Sequence, residues 1–274
     1  MAKRFLAAVI FVPLIIAVVI LGAFAPVLFE ISVAIICTVS VFEFAKATKT
    51  LRILQLSIPS ILFAAAYPML TVYGYGMLLS YVYAGVMLSA MIFFHKKISY
   101  TDFAYIFCMT LVITVAVSAI ALMTNRDPEH SQFYFILSLG LPWMADIGAF
   151  FAGSFLGKHK LCPEISPKKT IEGAVGGVIL CVGITCLIGW IFADLIYAKS
   201  VSVNYINIIC LAFIGSFLSI LGDLSFSVVK RSFHIKDYGF IIPGHGGFLD
   251  RFDSVVFVSP FILAFITYFP ILNV

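Results

Sequence analysis

The sequence predicts an all-α protein, a polytopic integral membrane bundle of about nine transmembrane helices. Three observations point there. Hydrophobic residues make up 62% of the 274 and charged residues only 11%, whereas an average soluble domain is roughly a quarter charged. The apolar residues fall in runs of about 20, the length that crosses a bilayer as a helix. Lysine and arginine are segregated between alternate gaps, as the topology rule for membrane proteins requires.

The spans lie at about 5–22, 27–45, 53–73, 76–94, 102–124, 132–156, 171–193, 205–229 and 254–272. Glycine, proline or charge marks most of the gaps: Gly22 to Pro26, Lys46 to Arg52, Gly74 to Gly76, His95 to Tyr100 and Asn125 to His130. All but two of the 17 lysines and arginines fall at one set of ends and loops, and the exceptions are Arg126 and Lys199. Alternate loops lie on opposite sides, so the basic set is expected in the cytoplasm together with the N-terminus. Met1 to Arg4 followed by an apolar run and Ala23-Phe24-Ala25 has the pattern of a removable signal. Pro26 directly after it favours a retained first span.

The first five spans are chemically quiet. Glu43 near the end of span two reads as a solvated helix end, with Lys46 or Lys49 in reach. Tyr67, Met69, Tyr73, Tyr75, Met77 and Tyr81 suit packing and interfacial anchoring. Asp102 at the start of span five is a favourable N-terminal charge. Residues 1–130 are therefore read as a scaffold of N-terminal helices, and 131–274 as the part of the same membrane unit that carries any chemistry. The six cysteines are scattered without metal-ligand spacing and read as small apolar fillers. A net charge of +4 in such a chain does not point to a nucleic-acid partner, and none is expected.

Polar residues gather in the second half. Asp146 sits inside span six, where an ionisable group is costly and reads as functional by default. A single buried, hydrogen-bonded aspartate is the plainer alternative. Ala149, Gly153 and Gly157 follow at helical spacing and form a smooth strip for close approach. The next loop carries Ser166-Pro167-Lys168-Lys169-Thr170 and then Glu172-Gly173. Two lysines beside a helix start could hold phosphate by charge and by free backbone N–H groups, and a plain basic loop would also contain them. Ser216, Ser219, Asp223, Ser227 and Lys230 recur every three or four residues, along one side of a helix. A loop with Lys236, Asp237, Pro243, Gly244, His245, Gly246 and Gly247 follows, and the chain restarts with Asp250, Arg251 and Asp253.

This run resembles the defining motif of the phosphatidate cytidylyltransferases, also called CDP-diacylglycerol synthases. The motif is matched by Ser227, Lys230-Arg231, Lys236-Asp237, His245-Gly246-Gly247 and Asp250-Arg251-Phe252-Asp253. Asp146-Ile147-Gly148-Ala149 and the run Ser166 to Gly173 are similar to further family patterns. The likeness is strong over about residues 140–256, and the first five spans match only in hydrophobicity and count.

The resemblance implies transfer of a cytidylyl group from CTP to phosphatidic acid. The phosphate of the lipid attacks the α-phosphorus of CTP and pyrophosphate leaves. A phosphate monoester has its second pKa near about 6, so the nucleophile is already largely ionised. The difficulty is electrostatic, because two polyanions must meet and charge must leave. Asp223, Asp250 and Asp253 are hard oxygen donors suited to Mg²⁺ or another divalent cation, with one ion or two. Their plain alternatives are capping of the last helix by Asp250 and Asp253, and neutralisation of Lys230 by Asp223. Asp223 and Asp250, with Lys230 and Arg231, are the expected catalytic residues. Lys168, Lys169, Ser166, Glu172, Ser227, Lys236, His245, Gly246, Gly247, Arg251 and Asp146 are the expected substrate contacts. His245 could donate to a phosphate, shuttle a proton or hold a turn. CTP, phosphatidic acid and the bilayer are the expected partners, and small-residue faces permit a homodimer without requiring one. The resemblance implies a bacterial cytoplasmic (inner) membrane, with the site facing the cytoplasm. A CTP-dependent lipid-alcohol kinase is the main rival. An ion-coupled transporter using Asp146 and Asp223 is weaker, because the polar residues crowd one end.

Overall fold

The computed structural model describes residues 2–241 and 246–273, with side chains from Pro13 onward. The expected contact His245 lies outside the described residues. Helices dominate: α1 (Ala2–Phe24), α2 (Val27–Ala47), α3 (Leu54–Thr71) after a tight turn at Thr50–Arg52, α4 (Gly76–Phe93), α5 (Tyr100–Val117) and α6 (Ala119–Arg126). Then come α7 (Ser131–Leu156), a hairpin of β1 (Lys160–Cys162) and β2 (Ser166–Thr170), and α8 (Ile171–Trp190), which continues as a π turn over Ile191–Ile196. The chain closes with β3 (Ser202–Val203), α9 (Tyr205–Ser232), α10 (Leu249–Tyr268) and β4 (Leu272–Asn273). Among the described residues, seven helical stretches are long and apolar enough to cross a membrane. The first and last expected spans are helical as well, as α1 and α10. The all-α membrane fold expected from the sequence is the one observed.

The elements depart from the expected spans in three places. The fifth span breaks between α5 and α6 at Ser118, whose Oγ donates to Thr114 O at 2.6 Å. A serine that bonds back one turn bends a helix in this way. The stretch between spans six and seven is a β-hairpin, with Lys160 opposite Thr170 and Cys162 opposite Ser166. The last helix starts at Leu249 rather than near 254, so Asp250, Arg251 and Asp253 lie on it.

The chain divides into two compact units, Met1–Gln132 with Phe233–Phe252, and Phe133–Ser232 with Asp253–Val274. In the first, α2 packs on α3 and α5, and α3 packs on α4 and α5. Phe29, Phe44, Leu56, Met87, Ile106 and Ile113 form its fully buried core. An aromatic stack runs from Phe63 to Tyr83 at 4.4 Å, to Phe107 at 5.5 Å and to Phe103 at 5.3 Å. The Tyr83 hydroxyl lies 2.9 Å from Ser60 Oγ, which satisfies both buried groups. Tyr67 is buried in this packing, whereas Tyr73, Tyr75, Met77 and Tyr81 are exposed.

In the second unit α8 packs against α9, and α7 meets α8 through small residues. A Cβ at Gly177 would sit 2.7 Å from Ala145 O, and one at Gly148 would sit 2.9 Å from Gly176 O. The strip anticipated on span six therefore receives a helix. The buried Cys181 thiol donates to Leu141 O at 3.4 Å on α7. Strands β3 and β4 pair Ser202 with Asn273, which ties the start of α9 to the end of α10.

Because the Gly177 contact is to backbone, it cannot yield. Gly177→Leu should cost about 1–3 kcal/mol through overpacking, read as a lowered thermal midpoint of the detergent-solubilised protein. An unchanged midpoint would contradict the α7–α8 packing.

Candidate functional site

The polar stripe of α9 faces inward. Ser216 and Ser219 are fully buried, and Ser227 and Lys230 are nearly so. Ser219 Oγ reaches Pro142 O on α7 at 3.4 Å, and Ser227 Oγ donates to Asp223 Oδ1 at 3.3 Å. Two ion pairs complete the stripe. Lys169 Nζ lies 2.7 Å from Asp223 Oδ2, and Lys230 Nζ lies 3.7 Å from Asp253 Oδ2. The second pair is almost fully buried, with side chains 9% and 6% exposed. Both pairs join different elements, Asp223 on α9 with Lys169 on β2 and Lys230 on α9 with Asp253 on α10. Asp146 on α7 and Asp223 both act electrostatically on Asp253. Lys169, Asp223, Ser227, Lys230 and Asp253 therefore gather in the second unit, with Asp146 within electrostatic range.

Local packing explains why these elements meet. A Cβ at Gly222 would stand 3.0 Å from Ser254 Cα and 3.1 Å from Asp253 O. Only a glycine there lets α9 approach α10 beside Asp223 and Asp253. The hairpin that delivers Lys169 is set by Thr170. Its side chain accepts from Gly173 N at 3.1 Å and caps α8. A Cβ at Gly153 or Gly157 would come within 2.9 Å of Thr170 Oγ1. Glu172 in the first turn of α8 pins the other strand, accepting from Lys158 N at 3.1 Å, His159 N at 3.2 Å and His159 Nδ1 at 2.6 Å. Its expected role as a substrate contact must be weighed against this one. Ser166 is half-buried on β2, while Lys168 beside it is exposed.

The remaining motif residues belong to the first unit, except Arg231, which is exposed in the last turn of α9. Asp250 Oδ2 accepts from Tyr238 N at 2.9 Å and from Gly247 N at 3.0 Å. It therefore organises the loop that precedes its own helix. Gly246 has φ +84°, in the left-handed region that favours glycine. Lys236 and Arg251 are exposed.

Glu43 departs from its expected place. It is buried rather than solvated, and its Oε2 accepts from Leu249 N at 2.7 Å. The contact joins positions 206 apart in the chain, so no local pattern could have signalled it. A carboxylate late in a quiet apolar span was the only trace.

A profile of the cytidylyltransferase family matches residues 2–269. The chain belongs to the cytidylyltransferase family. Curated relatives named phosphatidate cytidylyltransferase include one from Staphylococcus saprophyticus, 39% identical over 175 residues, which cover 64% of this chain and 63% of the relative. One from Staphylococcus aureus strain COL is 38% identical over the same length, with the same coverage. That of Bacillus subtilis is 39% identical over 138 residues, 50% of this chain and 48% of the relative. The aligned stretch spans less than two thirds of each relative. Within this family member, the Lys230–Asp253 pair is a buried charge pair of the kind an apolar bundle holds only at a cost.

The Glu172 contacts generate a direct test. Glu172→Ala should release β1 and speed tryptic cleavage after Lys158 and Lys160 by about tenfold, read by mass spectrometry of the folded protein. Unchanged cleavage would show that the hairpin is held by other contacts.

Proposed function

We propose that this chain is a phosphatidate cytidylyltransferase of a bacterial cytoplasmic membrane, working at its cytoplasmic face. The reading is carried by the 39% identity over 175 residues to proteins of that name. It is supported by the full motif and by the charge cluster of the second unit. An oxygen of the phosphatidic acid phosphate forms a bond to the α-phosphorus of CTP. The bond from that phosphorus to the bridging oxygen breaks, and both electrons leave with pyrophosphate. The products are CDP-diacylglycerol and pyrophosphate.

The chain's own part is placement and neutralisation. Lys169 and Lys230 are held by carboxylates at 2.7 and 3.7 Å, so their charges are fixed before substrate arrives. Fixed cations need no reorganisation as negative charge develops on the phosphates. Asp223 lies seven residues before Lys230, about 10 Å deeper along the helix at 1.5 Å per residue. A lipid phosphate can reach that depth laterally, while CTP arrives from water. Lys168, half a turn of strand from Lys169, is exposed and suited to meeting the nucleotide first.

The donor set suits a divalent cation. Asp223 already draws a lysine ammonium to 2.7 Å, and Asp146 and Asp223 press like charge on Asp253. Among the described residues no three His, Cys, Asp or Glu side chains form a metal group by themselves. Asp223 and Asp253 would hold Mg²⁺, with remaining ligands from water and phosphate oxygens. The bound ion would supply neutralisation of phosphate charge. Asp250 is proposed as a ligand on the ground of the motif alone.

Purified protein incubated with α-labelled CTP and phosphatidic acid should place label in lipid, and label should stay in the aqueous phase when phosphatidic acid is omitted. Label that never enters lipid would reject the reading, and transfer of only the γ-phosphate would mark a lipid-alcohol kinase. Asp223→Asn should lower turnover at least 100-fold with the thermal midpoint retained. Excess chelator should abolish turnover, and full activity in chelator would remove the metal assignment.

A further inference from the structure

We infer that Glu43, on a helix outside the motif, is a positioning residue for nucleotide binding, acting by holding the backbone of the glycine loop before α10. The inference rests on the proposed cytidylyltransferase reading for its functional consequence and on geometry for the rest. Glu43 is 1% exposed. Its Oε2 accepts from Leu249 N, the first residue of α10, at 2.7 Å. One side chain from α2 thus holds the amide that opens α10 and packs against the backbone of Gly239 and Gly247.

The glycines show how tightly the loop is moulded on this carboxylate. A Cβ at Gly247 would stand 2.6 Å from Glu43 Oε2, 2.8 Å from Asp250 Oδ2 and 2.7 Å from Gly239 N. A Cβ at Gly239 would collide outright with Glu43 Oε1. Two backbone segments therefore lie against Glu43 at distances that no other residue type allows. Asp250 Oδ2 accepts from Tyr238 N and Gly247 N of the same loop. Two carboxylates, one on α2 and one on α10, share the amides of a single loop.

The chemistry of the arrangement follows. Amides that point at carboxylates are fixed in direction, and so are the peptide units beside them. A glycine loop used to bind phosphate must hold its N–H groups in place before the anion arrives, or binding must supply the ordering. Glu43 removes that cost without touching the nucleotide. Its loss should weaken CTP binding more than it slows the bound complex.

The test uses the full-length protein in detergent. Glu43→Gln keeps the size and one acceptor but loses the charge. It should raise KM for CTP about tenfold or more, with kcat within about threefold and the KM for phosphatidic acid little changed. Amide hydrogen exchange over 246–252 should quicken about tenfold, while the α8–α9 peptides keep their protection. Gly239→Ala should reproduce both effects through the collision, and the same change should add little in a Glu43→Ala background. A rise in KM with quickened exchange and this non-additivity supports the inference. Unchanged exchange over 246–252 in both single variants overturns it, as does a uniform loss of kcat with global loss of protection. Should wild type fail to place label in lipid, the cytidylyltransferase reading falls, and the exchange measurement still decides whether Glu43 holds the loop.

Discussion

Charge inside an apolar bundle is stable only when it is paired, and the second unit depends on that constraint. Lys230 and Asp253 are each less than one tenth exposed and lie 3.7 Å apart. Taking either out of water alone costs several kcal/mol, and the partner offsets this only in good geometry. Such a pair is weak as a source of stability, because an apolar pair of the same shape would often hold the helices as well.

The pairing in turn requires close backbone approach. Gly222 lets α9 lie against α10 where Asp223 and Asp253 sit, and the glycine and alanine strip of α7 lets α8 begin beside Thr170. Lipid gives helices no hydrophobic reason to associate, so small residues and polar contacts must supply the attraction. The same residues therefore serve association and placement. Glu172 and Thr170 extend the logic to the hairpin, holding its two ends so that Lys169 is delivered to Asp223 at 2.7 Å.

Much of this was legible in the sequence. Length and hydropathy gave the spans, because a bilayer imposes both. The three-to-four spacing of Ser216, Ser219, Asp223, Ser227 and Lys230 gave the inward stripe, because a helix has one period. Other features were hidden for physical reasons. The hairpin of β1 and β2 has no alternating pattern, since three and five residues bury little. The start of α10 lies ahead of the apolar span at 254, where Asp250 and Asp253 already read as a helix start. The partners of Lys169 and Lys230 came from other elements, and spacing along one helix could not name them. Glu43 was the largest miss, because its partner lies 206 residues away.

The central claim is that Lys230 and Asp253 form a direct pair that the second unit needs. A double-mutant cycle measures it. Thermal unfolding of Lys230→Met, Asp253→Asn and the double variant should be compared in one detergent. Lys230→Met strands a buried carboxylate and should cost about 3–5 kcal/mol, while the double variant should recover most of that loss. Strictly additive losses in the double variant would contradict the pairing.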